Sequence, residues 1–474
     1  MSAVSGTEGR PAGGAGGDTA SRRVDPALVK LALILVLGAL APLLDSTIVN
    51  VALRTLGRDL GASVATIQWV GTGYLLAVAS AIPAAGWTAE RFGAKRMWLV
   101  SLLLFLTGSV LCGAAWNVGS LVVFRVIQGI GGGLMLPILQ TLLLRAAAGR
   151  PLGRLMAVIT LPALAGPILG PVAGGLIVGH LDWRWIFYVN PPICLAALHL
   201  AWRHLPADTP TRVQRLDVTG LLLLSPGLAA LVYALATAGT GAAARTRVLL
   251  PLALGALLLC AFTLRALRVR GPLLDLRLFR SRGFAASSAL LFLSGFALFG
   301  SMLLLPLYYQ QVRGASVVAA GLLLVPQGVG SLLARPAGGL ADRIGPRPVV
   351  LAGFALTALG TLPFAFAARH PPGLLLAAAL VVRGFGLSAA NIAIMLGAYR
   401  GLGRADIPHA GVITRIAQQL GGSFGAALLA VLLQSALRHH GTGSAYGLTF
   451  AVVLALTSAA AAPALLLPAA GVAD

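Results

Sequence analysis

Gly86-Trp87-Thr88-Ala89-Glu90-Arg91-Phe92-Gly93-Ala94-Lys95 and Gly338-Gly339-Leu340-Ala341-Asp342-Arg343-Ile344-Gly345-Pro346-Arg347 are two versions of one pattern, set 252 residues apart. Each carries an acid, a base, a glycine and a second base at matching positions, and each sits between long apolar runs. A charged loop repeated between apolar segments marks a membrane protein built from two similar halves. Six spans of ~20 residues with short loops occupy roughly 180 residues, so this offset leaves room for one more helix pair between the halves. The segments from about Val218 to Thr237 and Val248 to Leu267 fit that place. The pattern predicts an all-α polytopic protein with fourteen transmembrane helices, arranged six, two and six. Its divisions are a tail over 1–25, a first bundle over 26–205, an inserted pair over 206–270 and a second bundle over 271–474.

The composition agrees with a chain dissolved in lipid. Of 474 residues, 58% are hydrophobic and 10% charged, against about 25% charged in soluble domains. The tail is rich in Gly, Ala and Ser, which predicts disorder. A cleavable signal peptide ending near Ala39-Leu40-Ala41 is the rival reading of the first apolar run, but cleavage would leave an odd number of helices. The formal charge of +22 would suggest nucleic acid in a soluble protein. Here the bases gather at helix ends, mostly on the side of the N-terminus, so they set topology with both termini cytoplasmic and nucleic acid is excluded as a partner. All seven Trp fall at or near predicted helix ends, where indole rings settle among headgroups. Cys112, Cys194 and Cys260 lie in apolar segments without metal or disulfide spacing. No lysine precedes Ser or Thr, so the ATP-binding phosphate loop is missing and a catalytic constellation is not visible.

Leu44-Asp45-Ser46-Thr47-Ile48-Val49-Asn50-Val51-Ala52-Leu53, the loop pair quoted above and Trp183-Arg184-Trp185-Ile186-Phe187-Tyr188-Val189-Asn190-Pro191-Pro192 occur in one order and spacing. Together they resemble the first-helix, loop and sixth-helix signatures of the major facilitator superfamily, specifically its fourteen-helix drug:proton antiporter family. The resemblance implies the major facilitator fold and alternating access. It further implies export of antibiotics, dyes or other amphipathic molecules, driven by the proton gradient with no cofactor, across a bacterial plasma membrane. A monomer is expected. Gly166-Pro167-Ile168-Leu169-Gly170-Pro171-Val172-Ala173-Gly174-Gly175 resembles the family's antiporter motif in helix 5; by spacing alone it is a bare stripe for close helix packing.

Asp45 is the one acid placed well inside an apolar run, where a charged carboxylate costs several kcal/mol. A group held there can load and release a proton; the alternative is an Asp near the outer helix end that touches water. Arg125 shares a helical face with Gln128, Gly129 and Gly132, and counting from helix ends puts it at the depth of Asp45. The resemblance links this Arg to proton coupling; the alternative is a cation held by backbone carbonyls. Gly86, Glu90, Arg91, Gly93 and Lys95, with Asp342, Arg343, Gly345 and Arg347, form the expected gating loops, in which an acid near a helix end pairs with Arg or a helix terminus when the cytoplasmic side closes. Arg383 aligns with Gln128 rather than Arg125, and it either lines a cavity or snorkels. Asn50, Gln128, Tyr308, Gln310, Asn391, Arg415 and Gln418 are candidates for the substrate cavity.

Overall fold

The computed structural model describes residues 26–468, apart from 63, 148–169, 171–172, 208–215, 239–244, 270, 370 and 404–405. Among the described residues there is no strand. The helices are long and apolar because a backbone in lipid must satisfy its own N–H and C=O groups. Eleven are long and apolar enough to cross a membrane, or twelve if the pair bent by 56° at residues 82–83 is one span. The described residues are thus all-helical, with eleven to twelve such helices where the repeat predicts fourteen. The fifth predicted helix, centred near Gly166, falls largely outside the described residues.

The first half comprises α1 (Pro26–Asp59), α2 (Val64–Ala81), α3 (Ala84–Phe92), α4 (Ala94–Gly113), α5 (Val118–Ala147) and α6 (Asn190–His204). Then come α7 (Val218–Ala238) and α8 (Arg245–Arg268). The second half comprises α9 (Arg282–Gln311), α10 (Val325–Leu333), α11 (Pro336–Ile344), α12 (Pro346–Ala365), α13 (Gly373–Tyr399), α14 (Ile407–His439) and α15 (Thr442–Ala459).

The two repeated loops are tight turns between helices. Gly93 and Gly345 take φ of 94° and 84°, a region closed to most side chains, so the glycine ends α3 or α11 and lets α4 or α12 start at once. Outward-facing Leu250 and Leu374 are 68% and 85% exposed, as a surface bathed by acyl chains requires.

α7 and α8 pack on one another, and α7 also lies against α2 and α14. Ser225 Oγ of α7 donates to Ser80 O at 2.8 Å. At its start Asp217 caps α7, accepting from Gly220 N at 2.9 Å. The same carboxylate accepts from Arg265 Nη2 of α8 at 2.8 Å. Burial alone would raise this carboxyl, but the bonds from Arg265 and the Gly220 amide outweigh it and hold it below the usual carboxylate value.

The core is distributed unevenly. Among the described residues one continuous apolar cluster joins both halves at the end bearing the repeated loops. At the opposite end each half keeps its own cluster, around Trp183 and Phe187 in the first and around Tyr308 and Phe450 in the second. The halves are therefore shut against each other at one end. Trp98 and Trp183 are 0% and 1% exposed, which corrects their assignment to the headgroup level: both are core residues.

Candidate functional site

α1, α5 and α6 meet around Asp45. Arg125 Nη1 donates to Asp45 Oδ2, Gln128 Nε2 donates to Oδ1 at 3.0 Å, and Asn190 Nδ2 donates to Oδ1 at 3.3 Å. Arg125 also donates to Gln128 Oε1 at 2.7 Å and, through Nε, to Val70 O at 3.2 Å. Asp45, Gln128 and Asn190 are 0% exposed and Arg125 1%, so the pair is sealed from solvent. A buried pair of this kind holds only when hydrogen bonds satisfy the remaining lone pairs and protons. α4 completes the shell, since Ser109 accepts from Asn190 Nδ2 at 3.0 Å. α4 approaches because Gly108 has no side chain: a Cβ there would stand 2.6 Å from Gln128 Cα.

Tyr74 of α2 closes the remaining side. The Arg125 guanidinium carbon sits 4.1 Å from its ring centroid, a cation–π distance, and the Tyr74 hydroxyl donates to Pro42 O at 3.4 Å. Tyr74 also lines a cavity of about 110 Å³ between the halves, walled by α1, α2, α5, α9, α13 and α14. One aromatic ring thus separates the ion pair from the cavity. On the opposite wall, Arg415 Nη1 donates to Gln418 Oε1 at 3.1 Å, and Gln418 Nε2 donates to Asn391 Oδ1 at 3.3 Å. Asn391 Nδ2 in turn donates to Leu387 O at 3.0 Å.

Arg415, Gln418 and Asn391 therefore line the cavity, and other candidates do not. Gln128 is part of the Asp45 shell. Tyr308 is buried in a ring cluster with Tyr309, Phe364, Tyr446 and Phe450, which removes it from the candidate cavity. Gln310 is half-buried, away from the cavity lining. The Asn50 side chain lies outside the description. Arg383 does not snorkel: at 1% exposure it donates to Gln327 Oε1 at 3.0 Å, Thr361 Oγ1 at 3.2 Å, Ala297 O at 3.0 Å and Ser301. Of the helix-5 motif, Gly166, Pro167 and Pro171 lie outside the described residues, Gly170 and Gly174 sit against Thr47 and Ile48 of α1, and Gly175 is half-buried.

The loop residues sit apart from Asp45. Lys95 Nζ donates to Leu205 O at 2.8 Å, just beyond α6, while Glu90 and Arg347 are half-buried and Arg91, Asp342 and Arg343 exposed. Contact across the halves is made here by Gly86, facing Pro408 O and Val412 of α14, and by Tyr399, whose hydroxyl donates to Gln140 Oε1 at 3.2 Å. A larger apolar cleft of about 950 Å³ lies between α1 and α11–α13, with Arg335 and Arg343 in its lining; it is remote from the ion pair. Cys260 is exposed whereas Cys112 and Cys194 are buried, and among the described residues no three His, Cys, Asp or Glu converge to hold a metal.

Asn190 and Tyr74 were not among the candidate site residues. Asn190 stood in a quoted signature without an assigned role. Tyr74 has no sequence signal beyond being a polar-tipped ring in an apolar run.

The family model described as Major Facilitator Superfamily matches residues 35–426. The chain is 40% identical over 422 residues to the multidrug resistance protein B homolog of Mycobacterium tuberculosis (strain ATCC 25618 / H37Rv), covering 88% of this chain and 78% of that one. It is 34% identical over 444 residues to the puromycin resistance protein of Streptomyces alboniger, covering 90% and 88%. Among solved structures, a major facilitator proton:xylose symporter aligns with a TM-score of 0.61 at 17% identity, covering 92% of this chain and 94% of that one, which bears on the fold alone. With a two-half helical fold, a cavity between the halves and these relatives, the chain belongs to the Major Facilitator Superfamily, in its drug:proton antiporter family.

Proposed function

We propose that this protein exports amphipathic small molecules, antibiotics among them, in exchange for protons. The observation that carries the reading is the sealed Asp45–Arg125 pair one ring away from the cavity between the halves. An ionisable pair this deep is expensive and marks a proton or ion path. The names of the relatives, one a multidrug resistance protein homolog and one a puromycin resistance protein, support drugs as the cargo.

A proton arriving on Asp45 neutralises the carboxylate and leaves Arg125 held by Gln128 Oε1, Val70 O and the Tyr74 and Phe187 rings. The α1–α5 contact weakens, and the balance between the two access states shifts. The proton leaves on the other side after substrate has been released. Each charge crossing 100 mV contributes about 2.3 kcal/mol, so the gradient is the energy source and no cofactor takes part. Gly86, Glu90, Arg91, Gly93 and Lys95, with Asp342, Arg343, Gly345 and Arg347, act as the gating loops, and Gly166 to Gly175 as the close-packing face of helix 5.

Our reading is of fourteen spans: the eleven long helices, the bent pair and the apolar stretch Ala319–Leu333 with its continuation in α11, together with a further one that the sequence alone predicts around Gly166. The division is 26–205, 206–270 and 271–474 behind a tail over 1–25. The protein works as a monomer in a bacterial plasma membrane with both termini cytoplasmic.

The test is proton movement in proteoliposomes holding a trapped pH dye, with a panel of antibiotics and dyes added to wild type and Asp45→Asn. Substrate-evoked proton movement in wild type that vanishes in the variant is the expected outcome. Proton movement that runs with the substrate instead of against it would make the chain an importer, and none with any compound would sink the antiport reading.

A further inference from the structure

The membrane interior of this protein carries more positive than negative charge. Of the chain's 13 acids, Asp45 alone lies away from the ends of an apolar helix, and residues 148–169, outside the description, contain no Asp or Glu in their sequence. Three arginines share that interior: Arg125, Arg383 and Arg415. Asp45 is taken by Arg125.

The second arginine has no carboxylate. Every bond described for Arg383 goes to a neutral acceptor, in Gln327, Thr361, Ser301 and the Ala297 carbonyl. Ala297 stands 252 residues after Asp45, the offset of the repeat, so the second half has a methyl group where the first has its acid. Gly360 repeats Gly108 at the same offset, and a Cβ there would meet Arg383 Cβ at 2.6 Å. The two halves thus build the same helix crossing around opposite electrostatics: a neutralised pair in one, a bare cation in a cage of dipoles in the other.

The third arginine faces the place where a ligand would sit. Arg415 lines the central cavity beside Gln418 and Asn391, and no acid lines it among the described residues. Asp45 cannot serve as a counter-ion there, being sealed behind Tyr74. A cavity with low-dielectric walls concentrates the field of such charges, and a cation with no acid in the described lining beside it attracts an anion strongly.

We infer that the central cavity selects amphiphiles bearing a carboxylate, phenolate or sulfonate, with Arg415 as the counter-ion of the bound substrate. This rests on the export reading of the same cavity. It makes the membrane potential a second driving force, because an anion is expelled by an inside-negative membrane. It also means that proton and substrate do not compete for one carboxylate, and that coupling runs through the packing of α1, α2 and α5.

The test reads the field of the cavity directly. Ser46→Cys places a thiol on the wall facing Arg415, in a Cys260→Ser background, with the background protein as control. Labelling rates are measured in nanodiscs with 2-sulfonatoethyl and 2-(trimethylammonio)ethyl methanethiosulfonate, each divided by that reagent's rate with a free thiol. The anionic reagent should be favoured at least about tenfold, Arg415→Lys should keep the preference, and Arg415→Gln should remove most of it. Equal normalised rates, a preference for the cation, a preference that survives Arg415→Gln, or no reaction with either reagent would overturn the inference. In the pH-dye liposomes, the active compounds should be predominantly acids; activity confined to permanent cations would likewise overturn it. The labelling does not depend on transport, so a cavity without anion preference in a protein that still exchanges protons refutes this inference alone, whereas an anion-selective cavity with no proton exchange refutes the export reading.

Discussion

Asp45 and Arg125 depend on each other because neither can face water. Removing one partner of a buried pair costs about 3–5 kcal/mol, since the other is left as an uncompensated charge, whereas removing both is often close to neutral. Asp45→Asn is therefore expected to lose thermal stability in detergent as well as proton coupling, and the double variant Asp45→Asn/Arg125→Gln to regain most of the stability while staying uncoupled. If the double variant is as unstable as the single one, the carboxylate has a packing role that the ion pair does not explain. Asp45 was legible in the sequence because one acid in an apolar run needs a reason. Tyr308 was not correctly placed, because a tyrosine in an apolar helix gives no indication of which neighbour its face meets; its neighbours are Phe364, Tyr446 and Phe450 of the same half.

The inserted pair shows how one polar contact can pin two apolar helices. Asp217 joins the start of α7 to the end of α8 through Arg265. Its folded carboxyl titrates below its ordinary range, so its contribution is complete above about pH 5 and is lost as the pH falls through the lower, folded value. Arg265 is 34% exposed, which limits the bond to about 1 kcal/mol. Asp217→Asn should lower the melting temperature by a few degrees at pH 7, and this difference should shrink as both proteins are taken below pH 4. A difference that stays constant across this range would mean that the charge contributes nothing. The existence of this pair was legible from the repeat offset. Its seat on α2 and α14 was not, because apolar helix surfaces carry little information about which neighbour they meet.

At the scale of the molecule the two halves are closed at the end of the repeated loops and separate at the other. Gly86 is central to this closure: a Cβ there would lie 3.6 Å from Val412 Cγ2, close enough for a disulfide between side chains at the two positions. The pair Gly86→Cys/Val412→Cys, oxidised, should hold the end bearing the repeated loops shut and stop transport, and reductant should restore it. Transport undiminished by the formed crosslink would show that these two positions need not part during the cycle. At this end a glycine and the Tyr399–Gln140 bond bring the halves together. Close packing between helices needs small residues and complementary polar tips more than charge.

Sequence alone determined the solvent, the two-half repeat, the inserted pair and the single intramembrane acid, since each follows from where charge is tolerated in lipid. Only the tertiary structure decided that Asn190 and Gln128 complete the Asp45 shell, that Tyr74 divides this shell from the cavity, and that Arg383 is caged while Arg415 faces the cavity. Those outcomes depend on which face of each helix turns inward. In a chain that is apolar on nearly every face, periodicity cannot report it, and the contacts between helices must.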